Sequence, residues 1–191
     1  MVLKKDYSDM KVALLVIDMQ RVYAPGGAWQ TPGFATVAGR IKNLCQLYER
    51  RLFTRHLAFE EAPGRWQCYN KAFSEINADA EAARLIPELE AIEHLEFDKY
   101  TYSALASGDL QAHLLAENYE EILICGVQTE FCVLSTLLNA VDLGFPITLI
   151  PDACAGTLPV FGSALISLVR RMPCQVQIKY TQDLLYGEYR N

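Results

Sequence analysis

The chain has 191 residues, 51 % of them hydrophobic, which is enough to bury one core and suits one domain. Seventeen lysines and arginines against 23 aspartates and glutamates leave a net charge of −6. The basic pairs Lys4-Lys5, Arg50-Arg51 and Arg170-Arg171 are too scattered to form the stripe a nucleic-acid partner requires. Residues 12–17 are too few to cross a membrane, and the start, Met-Val-Leu-Lys-Lys-Asp, is charged where a secretory signal needs an apolar centre. A soluble cytoplasmic protein is expected, with neither nucleic acid nor membrane as partner.

Strand-like apolar runs alternate with helical periodicity along the whole length. A strand at 12–18 ends at Asp18. A Gly/Pro/aromatic stretch follows at 23–33, then a helix at 34–50 and a strand at 52–56. Residues 58–73 form a second polar and aromatic stretch. A helix at 81–92 leads to a strand at 94–98, with Lys99 directly after it. A helix at 109–118 precedes the apolar strand 121–126, which stops at Gly126. After a polar turn at 128–130, the helix 130–143 carries Cys132 in its first turn. A strand at 146–150, a helix at 159–171 and a strand at 175–178 complete the series. This alternation predicts one α/β domain over 1–191: a three-layer α/β/α, Rossmann-like open sheet of about six parallel strands.

The six cysteines, Cys45, Cys68, Cys125, Cys132, Cys154 and Cys174, form no C-x-x-C and no zinc-type Cys/His cluster. Five read as small hydrophobes, several of them inside apolar runs. Cys132 differs, because a helix start favours a thiolate and lowers the pKa toward neutrality. On that reading it reacts readily with iodoacetamide, whereas a buried structural thiol reacts slowly. Asp18, closing a buried strand, is either a loop anchor or a carboxylate with a chemical role. Lys99, taken alone, reads as solvated surface. All three follow predicted strands, and in a parallel sheet the carboxyl ends share one rim where ligands bind. A carboxylate, an ammonium and a thiol there can activate a nucleophile. No G-x-G-x-x-G or G-x-x-x-x-G-K-[ST] follows any strand, which leaves a nucleotide-binding reading without support.

The segments A-L-L-V-I-D-M-Q around Asp18, F-D-K-Y-T-Y-S-A around Lys99, L-I-C-G-V-Q-T-E-F-C-V-L-S-T around Cys132, and L-I-P-D-A-C-A-G at 149–156 resemble the isochorismatase-like cysteine hydrolases. This family includes nicotinamidases, N-carbamoylsarcosine amidases and ureido- or biuret-type hydrolases. The resemblance implies an Asp18–Lys99–Cys132 triad, a cis peptide between Val127 and Gln128, and an oxyanion hole made of the Gln128 and Cys132 amides. It also implies a homo-oligomer, dimer or tetramer. The family's isochorismatases lack the cysteine, so Cys132 favours thioester chemistry on a small-molecule C–N amide, carbamoyl or ureido bond.

Nicotinamidases carry a metal on an Asp-x-His motif after the second strand plus a second His. Here that place reads Thr54-Arg55-His56, so no metal or other cofactor is expected and His56 reads as a hydrogen-bonded strand-end imidazole. His94 falls on a strand and His113 on a helix. Tyr23, Trp29, Arg55, Arg65 and Trp66 are the candidate substrate-binding residues, an arginine suiting a carboxylate-bearing substrate. Two alternatives stand beside this: a non-catalytic binding or assembly protein, and a nicotinamidase with an atypical metal site.

Overall fold

β1 (Val12–Ile17) is a run of six consecutive buried aliphatic residues, as a strand covered on both faces must be. It lies inside a six-stranded, all-parallel sheet ordered β3-β2-β1-β4-β5-β6. The other strands are β2 (Arg51–His56), β3 (Leu95–Lys99), β4 (Glu121–Val127), β5 (Ile147–Ala155) and β6 (Val176–Ile178). This computed structural model describes residues 10–186, and the charged start with Lys4-Lys5 lies outside them. No helix among the described residues is long and apolar enough to cross a membrane.

Side chains alternate across the strands and feed two cores. Leu14, Val16, Phe53 and Leu123 face one side, under α1 (Phe34–Leu47), with Leu184 of α8 (Thr181–Tyr186) packed beside them. Ala13, Leu15, Ile17 and Ile124 face the other. There they meet Leu110 and Leu114 of α5 (Asp109–Glu117), Leu137 of α6 (Leu134–Asp142), and Leu165 and Val169 of α7 (Pro159–Val169). The three-layer α/β/α architecture is thus the observed one.

Three predicted elements differ. The helix expected at 81–92 shrinks to α4 (Pro87–Glu90), because Pro87 holds Ile86 extended and the Ile86 amide instead donates to the Met19 carbonyl. The stretch 58–73 is not all loop: α2 (Trp66–Ala72) forms within it and α3 (Ser74–Asn77) directly after it, and neither holds a fully buried residue. β5 does not stop before Pro151. Its register slips between Ile124 and Gly126 of β4, so the proline falls where the ladder is interrupted and its missing N–H costs nothing. Gly126, at φ 120°, is required here: a Cβ would collide with the Ile17 backbone of β1.

Candidate active site

Three strand ends deliver the three polar groups. Asp18, one residue past β1, has left-handed φ (50°), uncommon for a non-glycine residue. Its amide donates to the Thr54 carbonyl and hydroxyl, both at 3.2 Å, and the Thr54 hydroxyl donates to Asp18 Oδ1 at 2.6 Å. Lys99 ends the edge strand β3, two strands from β1, a gap of about 10 Å that a long side chain spans across β2. Its Nζ lies 2.8 Å from Asp18 Oδ2, donates to Cys132 Sγ at 3.2 Å, and donates to the Thr101 carbonyl at 3.0 Å. Cys132 sits in a π-helical turn, Thr129–Val133, leading from β4 into α6. The bond between Val127 and Gln128 is cis. The Gln128 carbonyl accepts the Phe131 and Val133 amides, and its side chain donates to Thr31 Oγ1 at 3.1 Å. Asp18, Lys99 and Cys132 are 0 %, 1 % and 4 % exposed, so water does not screen them from one another.

Burial dominates the electrostatics. It pushes the Cys132 thiol up to about 12, with Asp18 adding to the rise and Lys99 opposing it. This corrects the expectation of a thiol near neutrality: loss of hydration outweighs the helix start. Slow alkylation of Cys132 therefore no longer separates a nucleophile from a structural cysteine. Burial works against the Lys99 charge, but the adjacent Asp18 and Cys132 outweigh it, and its pKa is raised.

An arc of seven rings covers the site. Tyr23 packs on Trp29 (5.8 Å between centroids), Trp29 on Phe73 (5.7 Å), Phe73 on Tyr69 (4.8 Å), Tyr69 on Trp66 (5.4 Å), Trp66 on Tyr102 (4.8 Å) and Tyr102 on Phe131 (5.2 Å). Burial chiefly, then the field of Cys132, raises the Tyr23 and Tyr102 hydroxyls, and Tyr69 feels the same thiol. Of the sequence candidates, Tyr23 lies within the field of Cys132, while Trp29 and Trp66 each stand one ring away, behind Tyr23 and Tyr102. Arg55 stands apart. It alternates to the sheet face opposite Lys99 and is committed to Glu96 (3.1 Å) and Asp98 (2.9 Å), because an outward arginine on an edge pair meets the acids of the neighbouring strand. Arg65 is exposed at the start of α2. In this structure the Arg55 guanidinium is thus engaged by two carboxylates on the face away from Lys99.

Thr54, Tyr69 and Tyr102 escaped the sequence reading. Tyr102 was within reach, closing the D-K-Y-T-Y run three residues after Lys99, whereas only strand pairing reveals Thr54. A hollow of about 650 Å³ between residues such as Glu49, Leu95 and Glu117 opens at the amino ends of the strands, away from this chemistry. A cavity of about 30 Å³ adjoins the site behind His56 and Trp29.

Solved structures reproduce this architecture. A cysteine hydrolase from Pseudomonas syringae pv. phaseolicola 1448A superposes with a TM-score of 0.78 at 22 % identity, over 92 % of this chain and 91 % of that one, which defines the class as an open α/β/α fold. The Isochorismatase domain profile matches residues 12–177, and the chain belongs to that family of hydrolases. A probable inactive nicotinamidase from Arabidopsis thaliana is 28 % identical over 177 residues, covering 81 % of this chain and 85 % of the plant protein. An isochorismatase domain-containing protein 2 from Xenopus laevis is 27 % identical over 86 residues, 45 % of this chain and 42 % of the frog protein. The chain thus spans less than half the length of that second relative.

The residues present do not match the nicotinamidase metal motif. The Thr54 hydroxyl, standing at the Asp position of the Asp-x-His motif, is spent on Asp18. No group of three or more His, Cys, Asp or Glu side chains among the described residues could hold an ion.

Proposed function

We propose that the protein is a cysteine-dependent hydrolase of a small-molecule C–N amide, carbamoyl or ureido bond, acting without a cofactor. The observation that carries this is the single ammonium of Lys99 bridging the Asp18 carboxylate at 2.8 Å and the Cys132 thiol at 3.2 Å in a dry site. With a thiol pushed up to about 12, thiolate does not accumulate at rest. Asp18 instead takes the proton as the sulfur attacks the substrate carbonyl. The tetrahedral oxyanion is received by the Gln128 and Cys132 amides, a kind of donor whose removal in other enzymes costs about 10²–10³ in rate. The C–N bond breaks, the amine leaves with the proton from Asp18, and an acyl thioester remains. Asp18 then deprotonates a water, which attacks the thioester. The C–S bond breaks, acid and thiolate form, and Asp18 returns the proton to sulfur. Lys99 stays charged throughout and offsets the negative charge shared by Asp18 and Cys132.

The test is ammonia release from a panel of small amides, N-carbamoyl compounds and biuret-like substrates after metal chelation. Wild type should turn over at least one, and Cys132→Ala should lower the rate by more than about 10³-fold without changing the fold. Equal rates from both proteins would sink the mechanism in favour of a binding or assembly role.

Two further features belong to the reading. A homo-oligomer is supported by residues 153–169, which contain no charged side chain, and by the outward Leu158, Val160 and Leu168 at 54 %, 57 % and 41 % exposure. A cytoplasmic location is supported by the free state of all six cysteines, which suits a reducing compartment.

A further inference from the structure

The loop 100–108, between β3 and α5, has no regular secondary structure, yet two groups near its start serve the site. The Thr101 carbonyl accepts from Lys99 Nζ at 3.0 Å, and the Tyr102 ring packs on Phe131. What ties this loop down lies on α6. The buried Ala104 amide donates to Thr136 Oγ1 at 2.9 Å, and the Ser103 hydroxyl donates to Asn139 Oδ1 at 2.8 Å. Ser103 Oγ also accepts the Leu105 amide at 3.2 Å, which couples the two links. Thr136 is fully buried and follows Cys132 by four residues, with Asn139 three further on, the spacing of one helix face. The contacts therefore close a circuit. It runs from Lys99 Nζ to Thr101, along the loop to Ala104, across to Thr136, back along the helix to Cys132, and from its Sγ to Lys99 Nζ at 3.2 Å. A buried amide needs an acceptor, so the Thr136 hydroxyl fixes where Ala104 lies.

We infer that Thr136, backed by Asn139, is a positioning residue: it fastens the loop that holds Lys99 to the helix that follows Cys132, and so sets the contact between ammonium and thiol. This rests on the hydrolase reading and deepens it, since a misplacement of about 1 Å in a reacting group can cost about 10²-fold in rate. The competing role is plain core filling. Valine separates the two, because it keeps the shape of threonine and removes the hydroxyl.

The first readout needs no substrate. Lys99 Nζ has three acceptors and almost no water, so its ammonium should give a slowly exchanging resonance in ¹⁵N-lysine protein, identified by its loss in Lys99→Met. Thr136→Val should move that resonance, and Thr136→Ser should return it. Thr148→Val is the control: it also removes a fully buried hydroxyl, one that donates to Glu121 at 2.7 Å on the amino side of the sheet, and should leave the resonance in place. With the panel amide that wild type turns over fastest, Thr136→Val should lower kcat about 10²-fold with KM within about two-fold, Thr136→Ser should recover most of it, and Thr148→Val should keep kcat. An unmoved Lys99 resonance in Thr136→Val, one that Thr148→Val moves as far, or a wild-type kcat in Thr136→Val overturns the inference. Should Thr136→Val fail to fold, Ser103→Ala takes its place, and an unmoved resonance there overturns it equally. Failure of the hydrolase reading is separate: wild type then releases no ammonia from any panel member, and the resonance alone decides whether the clamp exists.

Discussion

Lys99 keeps its charge with almost no water because three acceptors surround it: Asp18 Oδ2, the Thr101 carbonyl and Cys132 Sγ. Removing one partner of a buried pair strands the other. Lys99→Met should therefore lose about 3–5 kcal/mol of stability along with turnover, as read by denaturant unfolding and ammonia release. The pH dependence follows from the raised lysine pKa. Its stabilising contribution is complete below the ordinary lysine value of about 10.4 and is lost as pH climbs through the higher folded value. The stability gap between wild type and Lys99→Met should stay flat from about pH 7 to about pH 10 and close above that. In the sequence, Lys99 alone looks like surface. Its burial is invisible there because the groups that neutralise it arrive from β1 and from the turn after β4.

At the scale of elements, the most constrained junction is β1 against β4, where Gly126 meets the Ile17 backbone at φ 120°. Gly126→Ala should cost more than about 1 kcal/mol from backbone conformation alone, with the steric clash added, and thermal unfolding checks it. A shift of β4 there would also displace the turn that holds Cys132. β1 and β4 were legible because largely apolar runs of six or seven residues admit little else; the more polar β2 and β3 also fall, like them, within a residue or so of their expected bounds. Helices were legible where an amphipathic stripe repeats, as over α5, α6 and α7. They failed where stability comes from rings rather than stripes. α2 buries no residue fully, yet Trp66 and Tyr69 hold it against Tyr102 and Phe73. At 81–92 the apolar spacing pointed to a helix, but one proline and the Gln20–Leu85 bridge claimed the backbone for a different purpose.

For the whole molecule, the sheet order sets where chemistry occurs. β1 and β4 sit side by side at the centre, and β3 reaches them across β2, so one rim collects groups 114 positions apart in the chain, from Asp18 to Cys132. Elsewhere the surface is uneven. Arg21, Glu81, Arg84 and Glu90 form an ion-pair network around the loop beside the site, while α7 turns an uncharged face outward. If that face joins two copies, Val160→Asp should convert an oligomer to monomers without reducing the fold's helix and strand content. Sedimentation velocity with circular dichroism tests this, and a wild type that sediments as a monomer contradicts the assembly.

The chain's own pattern of apolar runs, strand-end polar residues and a helix-start cysteine determined the α/β class, the family resemblance and the three residues of the site, because local sequence dictates which residues end strands and parallel strands end on a common rim. The tertiary structure decided what those residues experience. It buried the thiol and raised its pKa, turned Arg55 to the far face, raised Thr54 to a partner of Asp18 and left His56 Nε2 unpaired. Each of these depends on strand order and register, and pairing between distant segments is set by the packing of the whole core rather than by any local stretch.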